Sequence, residues 1–230
     1  AVTLGGSVTA ASTGASSTGN TISFGSSVNG AQAFVVDAGV GAISFASTVG
    51  NSAGLASISL TTSHSTGITL TGNITTIGTQ TYTGAVRLAS NATLTTTNSN
   101  VEFGGTLNSD ATTRTLTIAA GTGSTTFTGA VGGSAVLGAT AITASTTTNS
   151  STWVGNSTLG VTGNAVINGA ISGITTLSVS GTSSIAANIT SSSNQAYTGA
   201  VTISGSAVTL NSGTAGTVLF SSTVNSAANV

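Results

Sequence analysis

The chain has 230 residues, of which 32 are glycine and 84 are serine or threonine, and its charged side chains are five: Arg87, Arg114, Asp37, Glu102 and Asp110. Two cations cannot neutralise a run of phosphates or hold an anionic lipid surface, which excludes nucleic-acid binding by counterion release and a polybasic membrane patch; zero cysteines exclude a disulfide framework, a thiolate zinc site and a cysteine nucleophile. The 38% hydrophobic content and the absence of proline argue against disorder, and no run approaches 18 apolar residues, so no membrane-spanning helix is expected.

In chain order, one short unit recurs: a large apolar residue, three small or polar residues, then Val, Ile or Leu. Ala1 opens without a charged or apolar leader, so the chain reads as mature or as a fragment. The first unit is Leu4 to Val8. Phe24 to Val28 follows, with Asn29 after its second anchor, and Phe45 to Val49 has Gly50 in that place. Residues 58–62 and 68–71 alternate apolar and hydroxyl side chains with the period of two that marks a half-buried strand. Leu70 to Ile74 leads to Tyr82 to Val86, which carries Gln80 two residues earlier. Phe103 to Leu107, again followed by Asn, and Phe127 to Val131, again followed by Gly, come next. The interval to Ile167 lacks an anchor, so an irregular coil or insertion is expected near 143–160. Regularity returns with Ile167 to Ile171, Ile185 to Ile189, Tyr197 to Val201 with Gln195 before it, and Phe220 to Val224 followed by Asn225.

The units therefore come in classes that succeed one another in a fixed order. Leu4, Tyr82 and Tyr197 mark off two successive cycles of 78 and 115 residues, which four and six coils of about 19 to 20 residues would fill. Helix-favouring residues are scarce and no segment keeps a 3.6 period. The expected fold is all-β: a parallel β-helix of eleven or twelve coils with minimal helix, one continuous array over 1–230 that reads as a segment of a longer fibre. Its inward anchors are Phe24, Phe45, Tyr82, Phe103, Phe127, Ile167, Tyr197 and Phe220, with the aromatic ones stacked along the interior.

Strings such as Thr-Gln-Thr-Tyr-Thr-Gly-Ala-Val (79–86), Val-Glu-Phe-Gly-Gly-Thr-Leu-Asn (101–108) and Thr-Thr-Phe-Thr-Gly-Ala-Val-Gly (125–132) resemble the β-strand repeats of large bacterial surface adhesins, the filamentous-haemagglutinin-like and autotransporter-passenger proteins. The resemblance runs through nearly the whole chain. It implies export to the extracellular face of a bacterium and a role as a stalk or fibre in adhesion, aggregation or biofilm.

Catalysis and cofactors find few candidates. A Glu102/Asp110 acid pair would suit a polysaccharide-processing β-helix enzyme, yet strand alternation points Glu102 outward and Asp110 has Arg114 four residues on as an ion-pair partner. His64 with Asp37 lacks the spacing of a catalytic triad. No enzyme activity, metal or cofactor is expected. Trp153 has two readings, an exposed ring that stacks on a sugar or docks a neighbouring rod, and a core aromatic in an irregular coil. Asn-x-Ser/Thr triplets begin at Asn73, Asn91, Asn149, Asn156 and Asn188. Thr-x-Thr pairs at 69/71, 81/83 and 126/128 raise an ice-binding solenoid as a lower-ranked alternative. Scarce charge favours stacking, because repeated charges would face one another at strand spacing while hydroxyl and amide ladders satisfy each other. The expected partners are further copies, joined end to end into a self-assembling filament, together with cell-surface glycans or neighbouring fibres.

Overall fold

The computed structural model describes residues 1–12 and 20–227 as a three-sided β-solenoid, with 28 strands and no helix among them. All strand pairings are parallel, and the chain passes in turn through three stacked faces. Face A contains Ile22–Phe24, Ile43–Phe45, Ile68–Leu70, Val86–Leu88 and Leu107–Ser109. Single bridges through Val131 carry it on to Trp153–Val154, Ile171–Ile174, Ile189–Ser191 and Leu210–Asn211. Face B starts at Val2–Thr3 and Val28–Asn29 and ends at Gln195–Tyr197 and Val218–Phe220. Face C starts at Val8–Ala11 and Ala33–Asp37 and ends at Val201–Ile203 and Val224–Ser226. Two long strands, Thr140–Asn149 and Leu159–Ile167, turn the corner from face B to face C without a break. They join those two faces into one 17-stranded sheet. The segment expected to be irregular thus holds the longest strand, with a register shift between Thr143 and Thr146 at its bend.

The array makes about ten turns, which at about 4.8 Å per strand spacing gives a rod on the order of 50 Å long. On face C the coil that runs from Val8 to its partner Phe34 is long, whereas those from Thr147 to Ala165, from Ala165 to Ser183 and from Ser183 to Val201 are short. Coils are thus fewer and more variable than an even array of roughly 19 to 20 residues per coil, the value that motif spacing suggests. The reason is geometric. Tyr82 lies on face C and Tyr197 on face B, so their separation is five and two-thirds turns, not six. Phe24 on face A and Phe103 on face C are likewise three and two-thirds turns apart. Motif copies therefore fall on different sides of the rod, and dividing their spacing by whole coils shortens the apparent coil.

The anchors are interior, in three ladders instead of one. Phe24 and Phe45 stack on face A with centroids 4.8 Å apart, and Phe34 of face C meets Phe24 edge-on at 5.2 Å. Tyr82, Phe103 and Phe127 stack on face C at 5.0 and 5.1 Å. Tyr197 and Phe220 stack on face B at 5.4 Å. Phe24 and Phe220 are half-buried because each is the last rung of its ladder, and Ile167 is buried in the inward row of face C. Residues on either side of each anchor point outward, as the alternation requires.

Corners are where the chain bends sharply, and small residues permit it. Gly84 lies between faces C and A with φ at 127°, and a Cβ there would collide with the Thr62 carbonyl oxygen. One coil on, Gly105 presses on Gly84 in the same way, and Gly129 on Gly105. Asparagines tie successive coils together: the Oδ1 atoms of Asn29, Asn73, Asn91, Asn98, Asn100, Asn108, Asn164, Asn188 and Asn194 each accept a backbone N–H from the following coil. An amide placed this way satisfies a donor that the corner would otherwise leave unpaired.

Candidate functional site

The ionisable groups are spread over the rod. Asp37 and Glu102 are on outward positions of face C; the Asp37 carboxylate accepts the Gly39 N–H at 3.0 Å, and Asn100 donates to Glu102 at 3.4 Å. His64 sits in the turn from face C to face A, where its Nδ1 accepts the Thr66 N–H at 3.0 Å. Neither Asp37 nor His64 has the other as a hydrogen-bond partner. Asp110 and Arg114 form a forked ion pair in the turn from face A to face B, with Nε donating to Oδ1 at 2.9 Å and Nη2 to Oδ2 at 2.7 Å. The Arg114 bond, with the Thr112 N–H, holds the Asp110 carboxyl below its ordinary range. Its stabilising effect is present above the ordinary carboxylate pKa and fades as pH falls through the lower folded value; solvent exposure keeps it small. Glu102 thus lies on face C and Asp110 in the turn from face A to face B. Among the described residues no group of three or more His, Asp or Glu side chains converges on a metal-sized site.

Trp153 is 2% exposed. Its ring meets Phe127 edge-on, with centroids 5.1 Å apart, and lines an internal void of about 20 Å³ with Ile142, Ala165 and Leu177. The reading of Trp153 as a surface contact is corrected accordingly: it opens a face A strand at an inward position, in line with Val131 and Ile171. The Thr-x-Thr pairs divide between faces, 69/71 on face A and 81/83 and 126/128 on face C. On face C, Glu102 separates Thr81 from Thr126 in the outward row.

The least anticipated chemistry lies inside. Gln80 is fully buried and its Nε2 donates to the Thr95 carbonyl at 2.9 Å and the Ile74 carbonyl at 3.2 Å, while its Oε1 accepts the Tyr82 hydroxyl at 2.8 Å. Gln195 and Tyr197 reproduce the arrangement one face away, with Nε2 donating to Asn211 and Ile189 carbonyls at 2.8 and 3.3 Å and Oε1 accepting the Tyr197 hydroxyl at 3.1 Å. Gln-x-Tyr is therefore a corner clamp: the amide closes carbonyls of two coils and the phenol closes the amide. Its signal in the sequence is the pair of Gln-x-Tyr-Thr-Gly-Ala-Val copies, in which the aromatic anchor draws attention away from the glutamine.

Burial raises both phenol pKa values well above the ordinary 10.0. A group whose folded pKa is raised contributes stability below its unfolded pKa and loses it as pH rises beyond that. The denaturant midpoint is therefore expected to hold between pH 6 and 9 and to fall steeply above pH 10. The Tyr82→Phe/Tyr197→Phe double variant, less stable at pH 7, is expected to lose that alkaline decline; an unchanged decline would place its cause elsewhere.

An open groove of about 350 Å³ runs over face A beside its corner with face C. Arg87 stands in it, exposed, and among the described residues its guanidinium donates to Thr69 Oγ1 alone, at 3.4 Å. Arg87 pairs in register with Thr69 on one side and Asn108 on the other.

No family profile, curated protein or solved structure matches the chain.

Proposed function

We propose that the chain is a structural shaft segment of an extracellular bacterial adhesin or surface fibre, a stiff rod serving adhesion, aggregation or biofilm without catalysis. One observation carries the reading: parallel ladders carry the inward rows from coil to coil along the whole described rod. On face B the row that begins at Val2 finishes at Phe220, and on face C the row that begins at Val8 finishes at Val224. Stacking further coils extends the same three rows, which is what a shaft requires. The dispersal of Asp37, Glu102 and Asp110 over the surface supports a non-catalytic role, and the resemblance of the repeats to adhesin strands supports the bacterial surface as its place.

The same matched rows favour a second reading, a self-assembling extracellular filament in which copies stack end to end. Light scattering of the purified chain across concentrations, with electron microscopy of the same samples, separates the two. Single rods that associate weakly, about 50 Å long at the strand spacing of stacked coils, support the shaft, whose continuation is then covalent. Fibres with an axial repeat near one rod length support the filament. Compact particles that are not rod-shaped would refute both.

A further inference from the structure

The two arginines are used differently. Arg114 spends its guanidinium on Asp110, whereas Arg87 is the cation with no carboxylate partner among the described residues. A guanidinium offers five N–H donors, and the one hydrogen bond that Arg87 makes is long. Its neighbour in register, Asn108, is held in a fixed orientation, because Oδ1 accepts the N–H groups of Ser134 at 3.0 Å and Ala135 at 3.3 Å. The Asn108 Nδ2 donors are thereby left to the groove. Two sets of unspent donors thus stand side by side on adjacent strands, one of them positively charged. Around them the groove presents the hydroxyls of Ser65, Thr66, Thr106 and Ser134, none with a side-chain hydrogen bond of its own among the described residues, and it lacks any aromatic or acidic wall. The lining spans four successive coils, which at about 4.8 Å per step is a trough of roughly 14 Å.

We propose that this groove binds an acidic polysaccharide, with the carboxylate of a uronic acid residue held between Arg87 and Asn108 and the sugar hydroxyls met by the flanking serines and threonines. A planar carboxylate accepts two parallel N–H bonds from a guanidinium. A hydroxyl-lined trough with no hydrophobic floor beyond Ala85 and Val86 suits a polyhydroxylated chain and not an apolar ligand. Asp110 is spent on Arg114, so Arg87, Asp110 and Arg114 together leave one net positive charge. The outward carboxylates Asp37 and Glu102 are on face C, so an anionic chain is drawn to the groove and not to that face. The inference is independent of whether the rod is a covalent shaft or a filament subunit.

The test is a nuclear magnetic resonance titration of the isotopically labelled chain with trigalacturonate, with the neutral cellotriose and with inorganic phosphate and sulfate as separate arms. Trigalacturonate is expected to shift the amides of Ser65–Gly67, Arg87, Asn108 and Ser134 while leaving those of faces B and C in place. Cellotriose is expected to bind at least tenfold more weakly, and raising salt is expected to weaken the acidic ligand alone. Arg87→Gln is expected to weaken trigalacturonate at least tenfold with an unchanged far-ultraviolet circular dichroism spectrum, and Arg87→Lys to recover only part of the loss. Three outcomes overturn the proposal. One is no shift at the groove at millimolar ligand, and another is equal binding by Arg87→Gln. The third is phosphate or sulfate matching trigalacturonate in affinity and in the amides it moves, which would make the groove a general oxyanion site.

Discussion

Phe103→Ala is expected to destabilise the rod by about 4 kcal/mol, toward the upper part of the range for a buried aromatic truncated to alanine. The residue is the middle rung of a three-ring stack, 5.0 Å from Tyr82 and 5.1 Å from Phe127, with interplanar angles of 13° and 4°. Truncation removes the transfer energy of one ring and two stacking contacts, each adding roughly 0.5–1.5 kcal/mol. The coils above and below are pinned by backbone ladders, so the site cannot collapse to fill the space. Phe220 provides the control, because it is half-buried and stacks on Tyr197 alone; Phe220→Ala is expected to cost about half as much on the same scale. Urea denaturation followed by circular dichroism measures both. Equal losses would mean that the end rungs are as tightly enclosed as the middle ones, against the exposure of Val224 beside them.

Gln80→Leu isolates a different contribution. Leucine keeps the apolar stem but cannot donate to the Ile74 carbonyl or accept from the enclosed Tyr82 hydroxyl, whereas the Thr95 carbonyl keeps the Thr76 N–H. A buried polar group left without its partner costs roughly 1–3 kcal/mol, so a loss of about 2–3 kcal/mol is expected despite the gain in apolar burial. Part of that loss belongs to the phenol. Adding Tyr82→Phe to Gln80→Leu is therefore expected to cost less than the two changes summed, with a coupling of about 1–2 kcal/mol in a double-mutant cycle. Additive effects would show that the phenol and the amide do not act as a pair.

The architecture was legible because inward anchors and a period of two are local properties. Phe45, Tyr82, Phe103, Phe127 and Tyr197 all point inward, as their spacing requires. The Asp110–Arg114 ion pair was legible for the same reason, its partners being four residues apart. What was hidden depends on register. Arg87 meets Asn108 one coil on, but the coil from Thr147 to Ala165 is shorter and the coil from Val8 to Phe34 longer, so no fixed offset identifies facing residues before the corners are known. Trp153 was ambiguous because it starts a two-residue strand with no alternation to orient it. The buried glutamines look like solvated polar residues by composition; only the corner geometry shows them enclosed by carbonyls.

The fractional advance of the repeat also governs how the rod meets its surroundings. Thr83 and Thr198 occupy the same place after the tyrosine in two copies of the motif, both exposed, yet one faces outward from face C and the other from face B. An outward side chain that follows the tyrosine is thus a third of the way around the circumference in the second copy from its place in the first. Copies offset in this way place equivalent outward positions on more than one side of the rod, so that no single face carries them all.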